Sequence, residues 1–191
     1  MNQTVKKIFD QHRPLCLASS SPRRKDMLQN FGLEFFSVSP DIDESLRDCE
    51  TAESFVKRVA LDKARKIFQD HESLPGKTLI LSGDTIVVLE GHIIGKPEDQ
   101  VEAGKMIERL SGKTHQVSTA FVVLDTSNGE ELVQHVSTKV TFRNLDAGMI
   151  KWYQDLGEGL DKAGAYSIQG HGSMLVSRIE GSYPNVVGFP I

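Results

Sequence analysis

A segment rich in serine and arginine, residues 19–24, follows a short apolar run and has the composition of an anion-binding site. Ser19 and the two serines after it supply hydroxyl donors, while Arg23 and Arg24 supply guanidinium groups that match phosphate geometry. If the apolar run is a strand and Pro22 begins a helix, unpaired backbone amides and the positive end of the helix dipole lie at the same point. The segment therefore suits a polyphosphate. A capped surface helix with two solvated arginines explains the same residues.

A single carboxylate, Asp84, interrupts a strongly apolar stretch. Residues 79–81 and 86–89 have the composition of a buried strand, whereas residues 83–85 read Gly-Asp-Thr. A charge inside such a strand is costly unless it is paired, hydrogen-bonded or bound to a metal. Because perturbed carboxylates collect at active sites, we predict a functional role for Asp84, against the alternative of a polar residue at a strand end. With the anion site, it indicates an enzyme that acts on a phosphorylated small molecule.

Other polar positions gain meaning only in combination, and each has a simpler structural explanation. They are Glu44, Lys63, Lys96, His115 and Gln169. Glu44 lies in an acidic stretch typical of a solvated loop, and Lys63 is by default a solvated helix residue. Lys96 precedes a predicted helix, where a cation suits phosphate but a plain turn also fits. His115 is more typical of a structural, hydrogen-bonded ring. Gln169 offers a donor and an acceptor in a small-residue loop that could lie against a planar ligand or simply form a turn.

The apolar periodicity predicts alternating strands and helices in the first half and a hairpin in the second. The predicted strands cover residues 15–18, 35–38, 78–89, 92–94, 117–124, 132–142 and 173–179. The predicted helices cover residues 3–9, 22–30, 51–67, 99–110 and 146–156, with Val101, Met106 and Leu110 available for burial in the fourth. The pair Asn128-Gly129 is a strong hairpin signal. This mixture predicts an α/β fold with a mixed sheet, flanking helices and two lobes, with a site in a cleft between the lobes.

Composition restricts the class of protein further. The chain has 191 residues, 39% hydrophobic and 25% charged, which is typical of one globular domain. A net charge of −4 and a pI near 5.9, with no basic stripe containing interleaved aromatics, argue against a nucleic-acid-binding protein. Cys16 and Cys49 are isolated, so we expect no disulfide framework and a reducing, cytoplasmic location. We also expect no signal peptide and no membrane span, since no apolar run approaches about 20 residues.

The order of these motifs resembles that of the Maf family of nucleotide pyrophosphatases from about residue 15 to the end. The matching positions are residues 19–24, Glu44, Lys63, residues 83–85, 95–97, 111–115, 161–170, 181–183 and 187–190. The resemblance implies one two-lobed domain over residues 1–191, similar in fold to the inosine triphosphate pyrophosphatases. It also implies hydrolysis of nucleoside triphosphates between the α- and β-phosphates with Mg²⁺ or Mn²⁺, and it allows a homodimer.

The resemblance also implies a role for each site residue. The catalytic residues are Asp84, as the general base, with Glu44, Lys63 and Lys96; the metal ligands are Glu44 and Asp84; the substrate-binding residues are Ser19, Arg23, Arg24, Thr85 and Gln169. Glu44 would either hold the metal or orient Asp84. Converging cations would allow an acidic protein to bind a polyanion.

Three positions separate the branches of the family that this chain resembles. The branch acting on 7-methyl-GTP has Trp in place of Arg23, Gln in place of Thr85 and Glu in place of Gln169. A neutral amide suits a pyrimidine edge, which carries both a carbonyl and an N–H. The resemblance therefore implies hydrolysis of dTTP and UTP, and of modified pyrimidine nucleotides. The alternatives are a 7-methyl-GTP pyrophosphatase and, from another class, a nucleotide-sensing protein that restrains septum formation.

The end of the chain departs from the family pattern. Family members usually continue beyond this point into a closing helix, whereas this sequence stops at Ile191, and Phe189 stands where Leu is usual. We expect the catalytic assignment to be unaffected, because that helix is expected to lie away from the site.

Overall fold

In the computed structural model, which describes residues 13–70 and 74–190, seven strands form one mixed sheet. The strands are β1 Leu15–Ala18, β2 Phe36–Val38, β3 Leu79–Leu89, β4 His92–Ile94, β5 Thr114–Asp125, β6 Glu131–Phe142 and β7 Val176–Glu180. The order is β2-β1-β3-β5-β6-β7, with β4 paired to β3. Strand β1 runs parallel to β2 and β3, whereas β4 is antiparallel to β3 and β7 to β6. The predicted mixed α/β fold is confirmed.

The helices follow the predicted positions, with one addition. They are α1 Pro22–Asn30, α2 Ala52–Asp70, α3 Gln100–Leu110, α4 Ala147–Leu156 and α5 Tyr183–Val187, with short 3₁₀ helices at Ala163–Ala165 and Gly170–Leu175. The sequence analysis did not predict α5, although Ser182 gives a start signal: its Oγ accepts from the Asn185 amide. The strand predicted from residue 173 begins only at Val176, because the second 3₁₀ helix occupies the preceding residues. The helix predicted over residues 3–9 lies outside the described residues.

The described residues fall into two compact units. The first draws on residues 13–50, 54–70, 74–84 and 120–135, and the second on residues 51–53, 85–119 and 136–190. The single two-lobed domain and its cleft stay predictions. Across the described ranges, no helix combines the length and apolar character needed to cross a membrane.

The core of the first unit explains how β1 and α2 are held. Cys16 lies with its apolar neighbours in β1 and is fully buried, as predicted, and burial raises the pKa of its thiol to about 11. Helix α2 presents one buried stripe, spaced three or four residues apart, to this core. The stripe consists of Phe55, Val56, Val59, Ala60, Lys63, Ala64 and Ile67.

The core of the second unit includes one face of α3. That face consists of Ala103, Met106, Ile107 and Leu110. The prediction that Val101 is buried is wrong: it is 58% exposed, because its position falls outside the three-and-four spacing of the face. Packed in the same core, the buried ring of His115 contacts Phe142 and Tyr166 edge-on, and its Nε2 lies 2.8 Å from the Tyr166 hydroxyl. The structural interpretation of His115 is therefore confirmed.

We expect His115 to make the protein less stable in mild acid. Burial lowers the pKa of the folded ring from 6.5 to about 4. Between these values the unfolded chain binds more protons than the folded one, so the free energy of unfolding falls as the pH is lowered through this window. The full loss is about 3 kcal/mol. Denaturant unfolding between pH 4 and pH 7 should show a shallower pH dependence for His115→Phe than for the wild type by this amount; equal slopes would contradict the prediction.

Candidate active site

Three ionised side chains meet in the first unit at the middle of β3. The Lys63 ammonium lies 2.8 Å from Oδ1 of Asp84 and 2.9 Å from Oε1 of Glu44. The Asp84 side chain is 13% exposed, whereas Glu44 is about half exposed, at 48%. Residues 80–83 and 86–89 of strand β3 are buried, whereas Asp84 and Thr85 between them are partly exposed. The carboxylate that interrupts the apolar strand is thus charge-paired at a point where the strand becomes accessible.

The burial of Lys63 corrects the expectation of a solvated helix residue. It is only 8% exposed. Its position, four residues after Val59 and three after Ala60, lies within the apolar stripe of α2, so the helix carries the ammonium towards the sheet. This spacing was the signal available in the sequence. A buried ammonium needs opposite charge, which Asp84 and Glu44 supply.

The serine–arginine segment joins β1 to α1 as predicted, with Ser21 in the N-cap position and Pro22 as the first helical residue. Arg24 is 7% exposed, and its Nη1 donates to Oγ of Ser19 at 3.2 Å. The same Ser19 oxygen accepts from the Ser21 amide at 3.2 Å. For Arg24 the alternative of a solvated surface arginine is therefore wrong. Arg23 is half-buried.

Charge interactions connect this segment with the group formed by Lys63, Asp84 and Glu44, called here the Lys63 cluster. Burial lowers the pKa of the Arg24 guanidinium, the charges of Asp84 and Glu44 oppose that lowering, and Arg23 adds to it. The first unit therefore joins three cations and two carboxylates through ion pairs and charge interactions, and the Ser19 hydroxyl is bonded to one of those cations, Arg24. The six residues are Ser19, Arg23, Arg24, Glu44, Lys63 and Asp84.

The remaining predicted site residues belong to the second unit. Thr85 follows Asp84 in β3, and its Oγ1 lies 3.0 Å from Oγ1 of Thr119 on β5. Lys96 is exposed in the turn after β4, where the Gly95 carbonyl accepts from the Gly164 amide at 2.9 Å. That bond ties the turn to the small-residue segment that precedes Gln169.

The loop carrying the exposed Gln169 is fixed from both sides. Before it, the Ser167 amide donates to the Tyr153 hydroxyl at 3.0 Å, and Ser167 Oγ accepts from the Gln169 amide at 3.2 Å. After it, the Glu158 carboxylate accepts from the His171 amide at 3.2 Å and from the His171 ring at 3.0 Å. Sequence reasoning missed Glu158, because no local pattern indicates which distant amides a carboxylate will accept from. The Gln169 side chain is thus presented to solvent from an ordered backbone.

The carboxylates of the first unit fit a divalent cation shared with a substrate. Each contact with Lys63 uses one oxygen, so the second oxygens of Asp84 and Glu44 are further acceptors. Magnesium is commonly bound through one or two carboxylates plus substrate phosphates rather than by a cage of protein ligands. Residues 13–70 and 74–190 contain no cluster of three or more His, Cys, Asp or Glu side chains that could hold a metal.

Comparison with known proteins places the chain in a family. Residues 14–191 match the family model described as Maf-like protein. The chain belongs to the Maf family, as predicted.

Named relatives span nearly the whole chain. The dTTP/UTP pyrophosphatase of Myxococcus xanthus is 47% identical over 177 residues, covering 93% of this chain and 87% of that protein. The dTTP/UTP pyrophosphatase of Symbiobacterium thermophilum is 44% identical, covering 93% of this chain and 88% of that protein. Among solved structures, the nucleoside-triphosphatase / dITP/XTP pyrophosphatase from Mycobacterium abscessus aligns with a TM-score of 0.43 and 17% identity, over 70% of this chain and 75% of that one.

Proposed function

We propose that this protein hydrolyses dTTP and UTP, together with related modified pyrimidine triphosphates, to the monophosphate and pyrophosphate. Its family and the names of its relatives support this activity. The observation that carries the proposal is the buried Lys63 ammonium, bound to Asp84 and Glu44 beside the buried Arg24. Two buried cations beside two carboxylates, one of them nearly buried, are typical of a functional site.

The cations bind the triphosphate. Arg24 is held by Ser19, so its planar guanidinium meets phosphate oxygens without a large loss of side-chain freedom. Arg23 adds a second guanidinium at the start of α1. Lys96, a compact and exposed charge, serves as a further phosphate ligand. The hydroxyl of Ser19 and the first amides of α1 donate to the same anion.

Asp84 acts as the general base. Its carboxylate takes a proton from the water that attacks the α-phosphorus. A bond forms between the water oxygen and phosphorus, and the bond from the α-phosphorus to the bridging oxygen breaks, so pyrophosphate leaves with the electron pair. Lys63 fixes the direction of the Asp84 carboxylate, and it balances the charge of Glu44 through a second contact of the same ammonium.

Glu44 and Asp84 are the residues that would hold Mg²⁺ or Mn²⁺ together with substrate phosphates. A divalent cation bound there neutralises phosphate charge and helps to ionise a nearby water. Arg23, Arg24 and Lys96 supply fixed positive charge in addition to it.

Gln169 recognises the base. Its neutral amide matches an edge with one carbonyl and one N–H, as in uracil and thymine, and the ordered loop fixes where that amide can point. A panel of nucleoside triphosphates tests the proposal, with monophosphate and pyrophosphate scored separately. We expect release from dTTP and UTP to exceed release from ATP, GTP and 7-methyl-GTP. A preference for 7-methyl-GTP would assign the chain to the other branch.

The variant Gln169→Glu should change this preference. A carboxylate offers no donor to the base carbonyl, so kcat/KM for dTTP and UTP should fall about tenfold. Hydrolysis of 7-methyl-GTP, whose ring carries donors and positive character, should fall less. Gln134→Glu makes the same chemical change at an exposed position of β6 and should leave all three rates unchanged. Equal losses of all three rates in Gln169→Glu would show that this residue does not read the base.

A further inference from the structure

A chain of hydroxyl groups leads from Thr85 into the interior of the second unit. Oγ1 of Thr85 lies 3.0 Å from Oγ1 of Thr119, and Oγ1 of Thr119 lies 3.1 Å from the backbone carbonyl oxygen of Asn185. Thr119 and Asn185 are fully buried, whereas Thr85 is partly exposed. The three residues come from β3, β5 and α5. The outer end of this chain is therefore the hydroxyl next to Asp84 in sequence.

The direction of the protons in this chain follows from its inner end. A carbonyl oxygen can only accept, so Thr119 donates its single hydroxyl proton to Asn185. If Thr119 instead donated to Thr85, two buried oxygens would face each other at 3.1 Å with no proton between them. Thr85 therefore donates its proton inward to Thr119. Towards any ligand, the Thr85 oxygen has only lone pairs to offer.

Asn185 holds this inner end in place. Its Nδ2 donates to the Val117 carbonyl at 2.9 Å and to Oγ1 of Thr138 at 2.9 Å. Its own amide donates to Oγ of Ser182 at 3.3 Å, which caps α5. These bonds fix both the side chain and the backbone of Asn185, so the carbonyl cannot turn away from Thr119 without breaking a buried network.

We propose that Thr119 and the Asn185 carbonyl are positioning groups that keep Thr85 as a hydrogen-bond acceptor, and that Thr85 selects nucleotides presenting an N–H or O–H donor. This inference rests on the proposed function, which makes Thr85 a substrate-binding residue. dTTP and UTP share two such donors: the sugar 3′-hydroxyl, and N3–H of the base, which Thr85 would share with the Gln169 amide as a bifurcated hydrogen bond. Cytosine has an acceptor at N3 and is rejected in the second case. The 2′-hydroxyl is not the donor, since dTTP lacks it.

The test compares kcat/KM for pairs of substrates that differ in one donor. The base arm is UTP against CTP, and the sugar arm is UTP against 3′-deoxy-UTP. The wild-type kcat/KM for UTP should exceed that for CTP, or that for 3′-deoxy-UTP, at least about tenfold. Thr119→Val keeps the shape of the side chain but frees the Thr85 proton, so the preference in that arm should fall to about threefold or less. Thr119→Ser retains the hydroxyl and should keep the wild-type preference.

The variant Thr85→Val provides an independent measurement, because it removes the proposed acceptor at a partly exposed position and does not depend on Thr119→Val folding. It should abolish the same preference. The inference is overturned if either valine variant folds and keeps the wild-type preference in both arms. It is also overturned if the wild type shows no tenfold preference in either arm.

The failure of this inference is distinguishable from the failure of the proposed function. If the wild type releases pyrophosphate from UTP but the valine variants keep its substrate preferences, only the role of Thr85 is overturned. The dissociation constants of α,β-methylene-UTP and α,β-methylene-CTP repeat the base arm without turnover. If the wild type neither hydrolyses nor binds any of these nucleotides, both the inference and the proposed function are overturned.

Discussion

Asp84→Asn should lower kcat for dTTP and UTP by about 10²–10⁴ while the protein remains folded. Asparagine has nearly the same shape as aspartate and can still accept a hydrogen bond from Lys63, but it cannot take a proton from water. The loss should appear in kcat more than in KM, since the substitution leaves the proposed phosphate ligands Ser19 and Arg24 bonded to each other and in place. Steady-state kinetics at saturating Mg²⁺, with far-UV circular dichroism of each variant, measure this directly.

A matched control separates the chemical step from a general loss of carboxylate charge. Asp155→Asn removes a carboxylate that is exposed and paired with Lys151 on the surface of α4, where such pairs contribute little. Its kcat should stay within twofold of the wild type, roughly the effect of a neutral surface substitution. Wild-type turnover in Asp84→Asn would remove Asp84 as the base and leave the Lys63 cluster with a binding role only.

Lys63→Met should be the second most damaging substitution, lowering kcat/KM by about 10²–10³. Methionine preserves the apolar stem within α2 but removes the ammonium between Asp84 and Glu44. Asp84 and Glu44, which share this cation at 2.8 and 2.9 Å, would then repel each other and a bound polyanion without the counter-ion between them. The same change should destabilise the fold, so activity is compared at a temperature where thermal melting shows both proteins to be folded.

Lys66→Met, on the same helix, is the control for Lys63→Met. Lys66 pairs with Asp70 in an exposed (i, i+4) contact, so its loss should leave kcat/KM within twofold. If Lys63→Met retained more than a tenth of wild-type kcat/KM, its ammonium would be a structural charge and not part of the catalytic machinery.

Much of the fold could be predicted from local sequence patterns, because the spacing of apolar residues indicates which side of a helix or strand is buried. The apolar run of β1, the Ser-Pro start of α1 and the Asn-Gly hairpin each specify local geometry directly. Val101 and Lys63 were misjudged for one shared reason: residue type was given more weight than spacing. Val101 is apolar but falls outside the buried face of α3, and Lys63 is charged but falls inside the buried stripe of α2.

The site was harder to predict from the sequence than the fold, since its hydrogen bonds and ion pairs join residues far apart in the chain. The motifs indicated Asp84 and the serine–arginine segment, yet no sequence pattern states that Lys63 reaches both Asp84 and Glu44. The hydroxyl chain from Thr85 to Asn185 was equally hidden, because a threonine on an apolar strand carries no signal of its partner. Such contacts depend on strand order and helix placement, which local spacing does not determine.

The most direct test of the proposed chemistry is hydrolysis of UTP by the wild-type protein with Mg²⁺ in ¹⁸O-labelled water. Attack at the α-phosphorus predicts UMP and pyrophosphate in equal amounts, with the label in UMP and none in pyrophosphate. UTP bound but unchanged would instead indicate a nucleotide sensor. UDP with labelled orthophosphate, or label in the pyrophosphate, would place the attack at a different phosphorus and contradict the account.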